Sequence, residues 1–187
     1  MSKGKLIVIS GPSGSGKTTI CDKLLKLLPA IERSISFTTR KPRRGEKDGS
    51  DYFFVSKEEF RKRIKESLFL EHALVFDNFY GTSKNWVMDK VEEGKDVLLS
   101  IDVQGAQQIR KNYNKAVFIF LMPPSMKVLE ERLKKRATDD DREIEKRLEI
   151  AKEEMALVNQ YDYVVINDRV DEAVDKIKVI IGKKHEK

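Results

Sequence analysis

A chain of 187 residues, 40% hydrophobic and 36% charged, is long enough for one buried α/β core and short for two independent domains. Its single cysteine, Cys21, excludes an intramolecular disulfide and fits a reducing cytosol, and no apolar run has signal-peptide or membrane-spanning length, so a cytoplasmic protein without a membrane partner is expected. The formal charge of +6 comes from 37 basic and 31 acidic residues interleaved along stretches such as 56–66 and 126–154, a solvated helical surface rather than a nucleic-acid-binding one.

Residues 5–10 form a short apolar run expected as a buried strand, and 18–28 carry helix-spaced apolar residues that stop at Pro29. Between them Gly11, Pro12, Ser13, Gly14, Ser15, Gly16, Lys17 and Thr18 complete the phosphate-loop pattern G-x-x-x-x-G-K-[ST]. A flexible Gly/Ser connector would match the letters but not the flanking strand and helix. Glycines let backbone N–H groups wrap a polyphosphate, and the helix dipole favours negative charge there. Lys17 is expected to reach the β- and γ-phosphates and the Thr18 hydroxyl to ligate Mg²⁺ directly. The loop, continuing to Thr19, is the expected ATP site.

Segment 33–82 breaks the α/β rhythm. It holds short β-like pieces at 34–38, 51–55 and 69–75, a charged helix at 56–66 and a Pro/Gly-rich turn at 42–49, the pattern of a small inserted α/β unit. Arg40 and Arg43 flank Pro42, whose ring restricts the backbone between two guanidinium forks that match phosphate geometry. Tyr52 and Tyr80 add phenolic donors. An ordinary basic turn with half-buried tyrosines remains the alternative at this point.

Further apolar runs at 97–101, 117–122 and 163–166 alternate with helical patterns at 84–93, 104–113, 125–136, 140–159 and 170–182, with Ser83, Ser125 and Asp140 as expected N-caps. The alternation predicts a doubly wound parallel sheet. Asp102 ends the 97–101 run, the usual place for an acid that orients Mg²⁺ or its waters, and also the place for a helix cap. Residues 132–147 join two helices through a charged loop, either an exposed hairpin or a mobile lid. Asn167 lies just past a strand end, where an adenine base would sit or where a turn would form.

The order of motifs then becomes specific. The phosphate loop is followed by S-x-S-x-T-T-R-x-P-R-x-G-E, D-Y-F-F, E-H-A-x-x-x-x-N-x-Y-G-T, I-D-V-Q-G and V-I-N-D, spanning Gly11 to Asp168. This series resembles the guanylate kinase family from end to end. The resemblance implies a P-loop NTPase three-layer α/β fold with a parallel core sheet (about 1–32, 83–125 and 150–187), a GMP-binding insertion (about 33–82) and a helical lid (about 126–149). It implies Mg²⁺-dependent phosphoryl transfer from ATP to GMP or dGMP. In that reading Arg40, Arg43, Tyr52 and Tyr80 hold the GMP phosphate, while Ser36, Glu71 and Thr82 read the guanine and Asp102 lies on the acceptor side, touching Mg²⁺ through water. Arg132, Arg136 and Arg147 are the lid arginines, catalytic with Lys17 and Arg40. Ser100 stands where the family often has a second aspartate, and Ala137 where it often has glycine. Guanine offers N1–H and N2–H₂ side by side, and one carboxylate accepts both, whereas adenine would leave Glu71 unsatisfied. The resemblance further implies small-molecule substrates only, no nucleic acid, and a monomer or weak homo-oligomer.

Overall fold

The computed structural model describes residues 3–75, 77–135 and 141–183. β1 (Leu6–Ser10) runs through the glycine loop into α1 (Lys17–Leu27), and the chain returns along β2 (Ile31–Arg33). It then departs into β3 (Phe37–Thr38), β4 (Phe53–Phe54), α2 (Lys57–Lys65), β5 (Phe69–Val75) and β6 (Asn78–Ser83). α3 (Lys84–Glu92), β7 (Asp96–Ser100), α4 (Val103–Asn112) and β8 (Val117–Met122) follow. α5 (Met126–Lys135), α6 (Asp141–Ala156), β9 (Tyr163–Ile166) and α7 (Val170–Gly182) complete the described elements, with a 3₁₀ turn at Val158–Gln160.

β1 lies at the centre of a five-stranded parallel sheet ordered β2-β7-β1-β8-β9. Its side chains alternate between two apolar layers, which is why its sequence is continuously apolar. Ile7 and Ile9 pack with Ile20 and Leu24 of α1 and Ala173 and Ile177 of α7. Leu6 and Val8 pack on the other face with Val87 of α3 and Ala106 and Ile109 of α4. The carboxyl ends of β1, β7 and β8 therefore open on one edge, where ligands of such sheets bind.

The inserted segment builds its own mixed sheet, ordered β4-β3-β6-β5. β5 and β6 form an antiparallel hairpin that pairs Glu71 with Thr82 and Ala73 with Tyr80. Phe60 of α2 is fully buried and stacks against Phe69 and Phe79, with ring centroids 4.5 and 5.3 Å away.

The elements differ from the sequence expectation in several places. β2 was not anticipated, because three residues are too few to carry a periodicity; Arg33 belongs to the core sheet through its pairing with Leu98. β6 was not anticipated as a strand either, since Asn, Gly, Thr and Ser mask it. The expected strands at 34–38 and 51–55 shrink to two residues each. Ser125 caps α5, accepting from the Val128 N–H at 3.2 Å, whereas Ser83 makes no side-chain cap bond. Helix α6 stops at Ala156, short of the expected 159, where Leu157 N–H bonds back to the Glu154 carbonyl and tightens the last turn. The expected cap Asp140 and the lid residues Arg136 and Ala137 lie outside the described residues.

Candidate active site

The loop after β1 needs its glycines for shape. Gly11 has φ 147°, and a Cβ there would stand 2.3 Å from the Leu121 carbonyl oxygen of β8. Gly16 has φ 95° and ends the loop in the left-handed region, so that α1 starts at Lys17 with its first-turn N–H groups facing the loop. Lys17 Nζ donates to the Gly11 and Pro12 carbonyls at 2.6 and 3.0 Å, which arches its ammonium over the loop.

That loop forms one wall of a cleft of about 790 Å³, lined by Gly11, Ser13, Gly14, Gly16, Lys17 and Thr18. Pro12, Ser15 and Thr19 do not line it. Ser15 is fully buried, with its N–H bonded to the Pro12 carbonyl. Asn167 also departs from its expected place beside a base: it is 2% exposed and its Nδ2 donates to the Ser15 carbonyl at 2.8 Å. Its amide is a strut beneath the loop, because the end of β9 runs under the Gly16 turn. Arg132 is likewise directed elsewhere than the expected phosphate site: it does not line the cleft, and it donates from α5 to the Asn167 carbonyl at 2.8 Å. Arg147 of α6 does line the cleft and reaches the loop, donating to Ser13 Oγ at 3.3 Å.

The opposite wall comes from the insertion. Ser36, Arg40, Arg43, Tyr52, Glu71 and Tyr80 all face the cleft. The Arg40 guanidinium is fixed on three sides: it donates to Glu46 Oε1 at 2.8 Å and to the Lys41 carbonyl at 2.7 Å, and it stands 5.4 Å from the Tyr52 ring centroid. Glu46 also accepts from the Arg43 N–H at 2.7 Å, so one carboxylate orders the whole arginine turn. Partial burial works against its charge, yet the bonds from Arg40 and Arg43 win and hold the carboxyl below its ordinary range. Sequence reasoning passed over Glu46; its signal was the spacing, six residues after Arg40 across a Pro-Gly turn. Tyr52 and Tyr80 meet edge to face with centroids 6.0 Å apart, and burial, followed by Tyr80, raises the Tyr52 hydroxyl pKa.

Glu71 sits deepest. It is 3% exposed, and its Oε1 accepts from Thr82 Oγ1 at 2.5 Å across the β5–β6 pair, while its buried Oε2 has no hydrogen-bond partner. Burial pushes its carboxyl up to about 8, and the nearby Asp102 charge adds to the shift. Thr82, expected to donate to the base, is fully buried and outside the cleft lining; its hydroxyl is used on Glu71 instead. Asp102 faces the cleft and caps α4, accepting from the Gly105 N–H at 3.0 Å.

One face of α6 closes the cleft with Glu143, Arg147, Ile150 and Glu154, spaced four, three and four residues apart. Only Arg147 of these was anticipated. Burial pushes the Glu154 carboxyl up to about 7, against the pull of Lys17 and with the push of Asp102 and Glu153. A carboxyl with a raised folded-state pKa supports the fold fully below about 4.5 and withdraws that support as pH rises through 7. Glu154→Gln is therefore expected to melt with the parent near pH 4.5 and above it beyond pH 7. Melting curves across that range check this, and a gap independent of pH would contradict it.

Fold and cleft together define a P-loop kinase: a phosphate loop with its lysine faces a wall carrying Arg40, Arg43, Tyr52 and Tyr80 across one cavity. The family model for guanylate kinase matches residues 3–184, and the chain belongs to the guanylate kinase family. It is 54% identical over 179 residues to a guanylate kinase of Caldanaerobacter subterraneus subsp. tengcongensis, covering 96% of this chain and 87% of that one. It is 48% identical over 187 residues to the guanylate kinase of Clostridioides difficile, covering 100% and 91%. The crystal structure of guanylate kinase from Anaplasma phagocytophilum superposes with a TM-score of 0.82 at 39% identity, covering 96% of this chain and 85% of that one.

Proposed function

We propose that this chain transfers the γ-phosphoryl group of ATP to GMP, and to dGMP, giving ADP and the corresponding diphosphate. The observation that carries the reading is the unpartnered Glu71 Oε2 beside the Thr82-bound Oε1, facing the same cleft as Lys17. Ionised against a base, that buried carboxyl accepts two donors side by side, and guanine supplies N1–H and N2–H₂ at that spacing.

The donor polyphosphate lies along the loop with Lys17 beside it, and the acceptor phosphate lies against Arg40, Arg43, Tyr52 and Tyr80. GMP's phosphate is already an anionic nucleophile, so alignment and charge neutralisation suffice and no dedicated base is needed. Lys17, Arg40, Arg43 and Arg147 supply positive charge along the line of transfer. Thr18 and Asp102, both oxygen donors facing the cleft, fit Mg²⁺ chemistry, Thr18 directly and Asp102 through water. Bound there, Mg²⁺ would neutralise polyphosphate charge. Among the described residues no three His, Cys, Asp or Glu side chains form a metal cage.

The same reading divides the chain into a core, an insertion and a lid, with the first boundary after Arg33 because β2 pairs in the core sheet. It describes a cytoplasmic enzyme of small-molecule substrates, monomeric or weakly self-associating, with no nucleic-acid or membrane partner. Among the described residues no helix is long and apolar enough to cross a membrane. The test is ADP formation from ATP and Mg²⁺ with GMP, dGMP, AMP, CMP or UMP. Turnover with GMP and dGMP alone is expected; turnover with another acceptor would discard the base assignment.

A further inference from the structure

β5 is an edge strand of the inserted sheet, so every second residue along it points its backbone N–H and C=O away from β6. At His72 both of these outward groups are taken by a single side chain. Gln108 of α4 accepts from the His72 N–H at 3.1 Å and donates from Nε2 to the His72 carbonyl at 2.7 Å. The carboxamide thus acts as a one-residue strand pair, contributed by a core helix to the insertion. His72 directly follows Glu71, whose unmatched Oε2 lies so close to α4 that a Cβ on Gly105, three residues before Gln108, would stand 2.4 Å from it.

Two attachments hold β5 to the core here, and they differ in kind. Leu70 is buried in the cluster that contains Ala106 and Ile109, and this packing is non-directional, tolerating a slide of the strand. The Gln108 pair is directional at both ends and fixes the strand along its own axis. We propose that Gln108 is a positioning residue for base recognition, holding β5 in the register that presents the Glu71 carboxylate to the purine edge beside Gly105. The inference rests on the reading of Glu71 as the base-reading group.

The test compares Gln108→Leu, Gln108→Glu and Glu71→Gln with the parent. Gln108→Leu keeps the bulk and removes both bonds; it is expected to raise KM for GMP about tenfold and lower the GMP-over-AMP preference, with KM for ATP within about twofold. Gln108→Glu distinguishes positioning from packing. A protonated carboxyl reproduces both bonds, whereas a carboxylate turns an oxygen against the His72 carbonyl. Its KM for GMP, taken as a ratio to the parent at each pH, is expected to approach one near pH 5.5 and to rise toward pH 8.5. A flat ratio, or KM for ATP and melting temperature moving in step with KM for GMP, would overturn the proposal. If Glu71→Gln leaves the base preference intact, the base reading itself fails and the proposal falls with it. If Glu71→Gln erases the preference and Gln108→Leu leaves it unchanged, the proposal alone fails.

Discussion

Replacing Lys17 with alanine is expected to lower kcat for GMP phosphorylation by about 10³-fold while leaving the melting temperature nearly unchanged. The size follows from the role. A fixed cation acting on charge that develops in transfer contributes on the scale of the strongest single electrostatic groups in active sites. The silence in stability follows from the structure. Lys17 Nζ donates to two carbonyls of its own loop, Gly11 and Pro12, and the apolar layer beneath is carried by Ile20 and Leu24. A coupled ADP assay and a melting curve on the same preparation check both halves. Residual turnover above a tenth of the parent would remove Lys17 from the transfer step.

What could be read from the letters was whatever had a local cause. β1, β7 and β8 announced themselves because strands covered on both faces must be apolar without interruption, and β9 did so through its β-branched run although Val164 and Ile166 face outward at the sheet edge. The phosphate loop did so because Gly11 and Gly16 each meet a constraint, a neighbouring carbonyl and a positive φ, that other residues do not satisfy. Distance in sequence set the limit. Asn167 was drawn toward the nucleotide because it follows a strand end, yet only the fold reveals Ser15, 152 residues earlier, as its partner. Thr82 was given a role on the base, whereas the β5–β6 register turns its hydroxyl onto Glu71. Glu154 was hidden in a helix of alternating charges, where a cleft-facing carboxylate has the same letter as a solvated one.

Glu71→Gln is expected to move function and stability in opposite directions. The amide keeps an oxygen for the Thr82 hydroxyl but places an NH₂ where the second guanine donor would arrive, so two donors face each other in a dry site. A polar site left mismatched rejects its substrate strongly, and kcat/KM for GMP is expected to fall by about 10²-fold or more. Adenine, with an acceptor at N1, meets that NH₂ well, so the preference for GMP over AMP should shrink by more than GMP turnover alone. Stability responds through the proton. In the parent, burial and then Asp102 raise the Glu71 carboxyl to about 8 against an ordinary value of 4.5, so its contribution to stability is intact below 4.5 and is lost as pH climbs through 8. The variant carries no such charge. It should melt alongside the parent near pH 4.5 and above it at pH 9, by on the order of a few kcal/mol of folding stability. Acceptor profiles and melting curves across that range read the two effects separately. An unchanged acceptor preference would assign the base to another residue, and a stability gap that ignores pH would mean the carboxylate is solvated rather than held dry against α4.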